Sequence, residues 1–174
     1  MHPDQDDRFS WLAREEEFLH EVLGEEIPAF GVCLGAQMLA RAAGAKVGPA
    51  IKAEIGWLDV KLTTDGVSDP VLGVLPSRTT LFQWHHYTFE LPRDGVELAQ
   101  SDVCTQAFRL GRTWGIQFHA EVTLEMARSW AEEDPAELPM PPADLVAETE
   151  TRIALSNEHG RRLCAAFLDV AAQR

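Results

Sequence analysis

Apolar residues recur with a helical period between Ser10 and Gly24. Trp11, Leu12, Phe18, Leu19, Val22 and Leu23 fall on one side of a repeat of about 3.6 residues. Ser10 stands where an N-cap belongs, and Gly24 where such a helix ends. The run Ile27 to Val32 is apolar except for Pro28 and Gly31. It reads as a strand buried on both faces, as central parallel strands are. Leu34, Met38, Leu39 and Ala42 then return to helical spacing, with Gly44 as a C-cap. Helix, strand, sharp turn and helix in this order predict an α/β winding.

The middle of the chain has a different texture. Ile55–Leu62, Thr79–Gln83, Val96–Gln100, Thr105–Leu110 and Thr113–Phe118 are short and strand-like, separated by Gly, Pro and Asp turn signals. Several of them are expected to pair antiparallel. Thr123–Glu133 reads as helix, and Pro135, Pro139, Pro141 and Pro142 mark a loop. A long amphipathic helix follows from about Asp144 to Ala171, with Leu145, Ile153, Leu163, Phe167 and Val170 on its buried face. Repeats and low-complexity tracts are absent from the sequence, so residues 1–174 read as one domain.

Composition narrows the classes of function. With 45% hydrophobic residues the chain can build a substantial core. A formal charge of -13 repels phosphate backbones and anionic membranes, which weighs against nucleic acid or a membrane as partner. No segment approaches the roughly 20 apolar residues of a membrane span. The polar start MHPDQDDRFS is unlike a signal peptide. Cys33, Cys104 and Cys164 are odd in number and widely spaced, which fits a reducing cytoplasm. Cys104 and Cys164 read as small buried hydrophobes.

Two segments carry chemistry. In Gly31-Val32-Cys33-Leu34-Gly35-Ala36-Gln37 a strand turns sharply into a helix. Small neighbours at such a corner lift a nucleophile clear of the sheet, and the helix N-terminus favours a thiolate and offers free N–H groups to an oxyanion. In Trp114-Gly115-Ile116-Gln117-Phe118-His119-Ala120-Glu121 an apolar strand ends in His-x-Glu. A cysteine nucleophile needs a base, and the base needs an acceptor to fix its tautomer. Residues two apart on an extended chain share a face, so Glu121 can reach the His119 ring.

GVCLGAQ followed by GIQFHAE resembles the signature of class I glutamine amidotransferases, of the stand-alone type related to GMP synthase. The likeness extends through Glu54-Ile55-Gly56-Trp57 and Gln83-Trp84-His85. It implies a three-layer, flavodoxin-like α/β fold with a mostly parallel open sheet, antiparallel additions and Cys33 at the carboxyl end of a central strand. It further implies that Cys33 is the nucleophile, His119 the general base and acid, and Glu121 the orienting carboxylate. Leu34 would donate its amide to the oxyanion with Gly35 beside it, and Gln37 would help hold the substrate. The reaction implied is release of ammonia from glutamine through a glutamyl thioester. No cofactor is expected. Nor is a metal, since the histidines are scattered and no CxxC or HxxxH pair exists. A synthetase subunit on another chain would be the ammonia acceptor.

Three departures from the family pattern qualify this. Ala120 stands where proline is usual, and Tyr87 where the WHxDxF segment has aspartate, which removes a carboxylate and alters substrate contacts. The family's N-terminal strands and helices, ending in a Gly-Gly segment with a second oxyanion donor, have no counterpart before Ser10. The domain is therefore expected to be incomplete at its N-terminus, with an open sheet edge, a tendency to dimerise and weak activity. The alternatives are an inactive remnant that binds or regulates a synthetase, and a hydrolase of another γ-glutamyl amide.

Overall fold

The structure, a computed structural model, describes residues 2–173. The first helical period forms α1 (Trp11–Gly24), but Ser10 lies in helical backbone and its side chain makes no capping bond. Leu12, Leu19 and Val22 are buried, whereas Trp11 and Phe18 are exposed. The inward stripe is narrower than its periodicity suggests, because α1 packs at the outside of its layer. The next elements are β1 (Ala29–Val32) and α2 (Leu34–Ala42). Gly44 follows α2 with a φ of 80° and donates to the Arg41 carbonyl at 2.8 Å. A side chain rarely tolerates that conformation, so glycine ends the helix here.

After these come β2 (Val47–Leu62), α3 (Thr64–Ser68), β3 (Arg78–Phe89), β4 (Val96–Gln100), β5 (Thr105–Leu110) and β6 (Thr113–Ile116). The chain closes with α4 (Leu124–Glu133) and α5 (Pro142–Ala171). Thr123 caps α4 by accepting from the Met126 N–H.

The six strands form one sheet in the order β1-β6-β5-β4-β2-β3. β1 and β6 run parallel, and the remaining pairs are antiparallel. Beyond β6 the chain crosses to β3, where the His119 N–H donates to the Phe82 carbonyl at 2.8 Å, and this curls the sheet. The strand expected at the centre lies at an edge: among the described residues β1 has only β6 beside it. Only Gly31 of its four residues is buried, and Ile27 is exposed outside the strand.

Helices cover both faces, giving a three-layer α/β arrangement. On one face Met38 and Leu39 of α2 and Leu12 and Leu19 of α1 pack with Phe89 and Phe108. On the other, Leu163 of α5 packs with Trp114, Ile116, Leu81 and Leu98. Trp57, Phe82, Ala127 and Leu145 join α4 and the start of α5 to the β2–β3 hairpin. Alternation along β5 and β6 divides the layers: Phe108 and the small Gly115 face α2, while Trp114 and Ile116 face α5. None of the described helices is long and apolar enough to cross a membrane.

Candidate active site

Cys33 stands at the carboxyl end of β1, between strand and helix, with φ 48° and ψ -105°. Such a positive φ is strained for a residue with a side chain. The strain is imposed by how closely α2 folds back onto β1. A Cβ on Gly31 would lie 2.6 Å from the Gly35 carbonyl carbon and 2.6 Å from Leu39 Cδ1, so only glycine fits there. Gly35 itself has open space around its missing Cβ; its share in the turn is the backbone that Gly31 approaches. The Cys33 N–H donates to the Ile116 carbonyl at 2.8 Å, which ties the elbow to β6. Leu34 and Gly35 form the first turn of α2, whose N–H groups have no partner within the helix.

His119 and Glu121 follow β6. The His119 Nδ1 and Glu121 Oε1 are 2.6 Å apart, so the two-residue spacing does bring the carboxylate to the ring. Nδ1 donates, which leaves Nε2 for Cys33. Burial of the ring opposes its charge, but hydrogen bonding and charge from Cys33 and then Glu121 outweigh burial and lift the His119 pKa to about 9. The ring packs edge-on against Trp130, with centroids 5.3 Å apart.

Gln37 is buried. Its amide nitrogen donates to the Tyr87 carbonyl at 2.8 Å and to Gln117 Oε1 at 3.1 Å. Gln117 in turn places its Nε2 3.5 Å from Cys33 Sγ. Both amide hydrogens of Gln37 are thus committed to the protein, in the position of a brace between α2, β3 and the segment after β6.

A cleft of about 490 Å³ opens over Cys33, Leu34 and Gln37. Its far wall is the β3 segment Trp84, His85, His86 and Tyr87, and its rim carries His2, Asp134 and Glu137. His86 Nε2 pairs with Glu137 at 3.1 Å, and the Tyr87 ring stacks on His2 at 4.1 Å. Two carboxylates from the loop after α4 therefore line a cleft in which Tyr87 offers none. His119 and Glu121 stand outside this lining. Glu121 reaches a second, apolar groove of about 560 Å³ between the open edge of β1 and α5, walled by Phe30, Val32, Leu163 and Phe167.

Gln117 is a functional candidate that sequence reading passed over; it lies inside GIQFHAE, two residues before the histidine, so that motif already held the signal. The remaining cysteines differ from expectation. Cys164 is exposed on α5, and Cys104 is half-buried. Cys104 lies 3.3 Å from Glu54 Oε2. Burial pushes its thiol up to about 11, with the Glu54 charge adding to the effect. Burial would raise the Glu54 carboxyl too, but the adjacent His85 ring and hydrogen bonds from Ser101 and Cys104 hold it below its ordinary value.

The family model described as glutamine amidotransferase class-I matches residues 3–133. The chain is 38% identical over 108 residues to a glutamine-hydrolysing GMP synthase of Porphyromonas gingivalis, covering 60% of this chain and 21% of that one. It is 29% identical over 126 residues to YfeJ of Salmonella typhimurium, a glutamine amidotransferase-like protein, covering 71% of this chain and 53% of that one. The chain thus spans about a fifth to a half of these relatives. A crystal structure of a glutamine amidotransferase from Thermotoga maritima superimposes with a TM-score of 0.84 at 31% identity, over 100% of this chain and 75% of that one. One from Methylobacillus flagellatus gives 0.87 at 27% identity, over 100% and 74%.

Proposed function

The chain belongs to the class I glutamine amidotransferase family, and from that premise we propose that it hydrolyses the side-chain amide of glutamine with Cys33, His119 and Glu121. One observation carries the reading. A cysteine held in a strained elbow at a helix N-terminus shares a charge-coupled histidine with a carboxylate 2.6 Å away.

In this reading the Cys33 thiolate attacks the amide carbon of glutamine, and the carbonyl π electrons move to oxygen. The Leu34 N–H, at the start of α2, stabilises that oxyanion. His119, protonated beside the thiolate, gives its proton to the departing nitrogen, and ammonia leaves. Water then attacks the thioester carbon while His119 takes one of its protons. Collapse of the second tetrahedral intermediate expels the Cys33 sulfur and releases glutamate. Glu121 holds the ring in the tautomer that presents Nε2. Gln37 and Gln117 keep the elbow in register with the cleft wall. The likeness to GMP synthase supports a synthetase as the user of the ammonia, and the reaction would take place in the cytoplasm.

The test is ammonia release from glutamine by the full chain and by Cys33→Ala, His119→Ala and Glu121→Gln. Turnover is expected to vanish in Cys33→Ala and to fall about 10²–10⁴-fold in His119→Ala. Turnover that survives Cys33→Ala would refute the assignment. Release from other γ-glutamyl amides but not from glutamine would keep the triad and change the substrate.

A further inference from the structure

Glu54, His85 and Cys104 are far apart in sequence, yet their ligand atoms lie within 4.8 Å of one another. Topology brings them together. Glu54 on β2 sits directly opposite His85 on β3, just past the register shift that follows Pro49. Cys104 enters from the turn between β4 and β5. Glu54 Oε2 is 3.3 Å from His85 Nε2 and 3.3 Å from Cys104 Sγ. Those separations match the edges of a tetrahedron of N, O and S around zinc, about 3.2–3.7 Å for bonds of ~2.0–2.3 Å.

The histidine is the decisive member. Its Nδ1 lies 3.0 Å from the Tyr87 carbonyl, which can only accept, so Nδ1 carries a hydrogen. Nε2, itself buried and without a hydrogen-bond partner, then faces Glu54 Oε2, which accepts from Gln106 at 2.8 Å and from Ser101 at 3.1 Å. A lone pair facing a carboxylate is repulsive unless a cation stands between them. A ligating histidine typically has its other nitrogen fixed by a carbonyl in this way. Thr88 Oγ1 is likewise buried without a partner and lies beside Cys104. A cleft of about 480 Å³ reaches Glu54 from the surface past Ser101, which supplies an entry path.

We propose that Glu54, His85 and Cys104 bind a divalent ion of the zinc class, with Thr88 or a water as fourth ligand. The mixed sulfur, nitrogen and oxygen set suits zinc and not magnesium or calcium. On binding, the Cys104 thiol loses its proton to solvent and the sulfur takes up the metal. The bound ion would also fix the His85 ring, and with it the Tyr87 carbonyl that Gln37 shares at 2.8 Å, so it would stiffen the cleft wall opposite Cys33. The site stands independently of the reaction proposed above.

Chelator-stripped full chain, dialysed against Zn²⁺, is expected to retain one equivalent by metal analysis and to unfold at a higher temperature, while Mg²⁺ leaves the melt unchanged. Co²⁺ in place of Zn²⁺ should give a thiolate-to-metal charge-transfer band. That band should persist in Cys33→Ala/Cys164→Ala, which leaves Cys104 as the one thiol. It should be lost in Cys104→Ser, with affinity lowered about tenfold or more. Less than one equivalent retained by the wild type overturns the proposal and leaves a proton as the cation between His85 and Glu54. So does a band that disappears in Cys33→Ala/Cys164→Ala.

Discussion

At the scale of single residues, His119 couples the candidate site to stability. Its pKa rises from an ordinary 6.5 to about 9 in the folded chain. A group with a raised folded pKa stabilises fully below its unfolded value, and that contribution is lost as pH climbs through the folded one. Stability from His119 should therefore be complete at pH 6 and fade between about 6.5 and 9. Denaturant midpoints for wild type and His119→Gln should converge above that window and separate below it; parallel curves would refute the coupling. Glu121→Gln removes the carboxylate 2.6 Å from Nδ1 and should lower the His119 midpoint by about one unit or more, read by NMR titration. The His119–Glu121 pair was readable in sequence because its two-residue spacing is local, while grouping Cys33 with it rested on the family likeness. The Glu54–His85–Cys104 cluster was not readable, because ladder register and a turn assemble it from three separate stretches.

At the scale of elements, one contact sets where the His-x-Glu segment lies. Gly160 in α5 passes so close to it that a Cβ would stand 2.4 Å from the Ala120 carbonyl oxygen. Alanine in a helix interior ordinarily gains about 1 kcal/mol over glycine. Here a backbone atom blocks it, and the overpacking cost of about 1–3 kcal/mol wins. Gly160→Ala should lower the melting temperature and also reduce thiol alkylation control by His119, since Ala120 joins the base to its carboxylate. A melt raised by the substitution would show that α5 can shift freely. The same scale shows what alternation reveals. β4 and β5 have the bounds their patterns predict, Val96–Gln100 and Thr105–Leu110. β2 starts well before Ile55, at Val47, because Gly48, Pro49 and the exposed Ile51 of its bulged half obscure the pattern. The edge position of β1 was equally hidden, since its apolar run reads like that of a central strand.

At the scale of the whole molecule, a charge of -13 opposes association, while the open β1 edge and the apolar groove beside it favour association. The balance should depend on salt, because exposed charges are screened beyond about 10 Å at 0.1 M. Sedimentation velocity should show self-association that grows with ionic strength. Leu168 lies exposed on the groove, so Leu168→Glu should weaken association without altering the melt. Unchanged monomer at every salt concentration would show that the groove is not sticky enough to pair.

Tyr87 is the one tyrosine in the chain, and it forms the cleft wall while stacked on His2. Nature has thereby placed a single spectroscopic label where it is most informative. Protein grown on 3-fluorotyrosine would give one fluorine resonance, free of assignment, whose shift reports ring currents and contacts inside the cleft. Adding a γ-glutamyl compound, or an ion at His85 two residues away, should move that one line, and the two responses can be followed in the same tube.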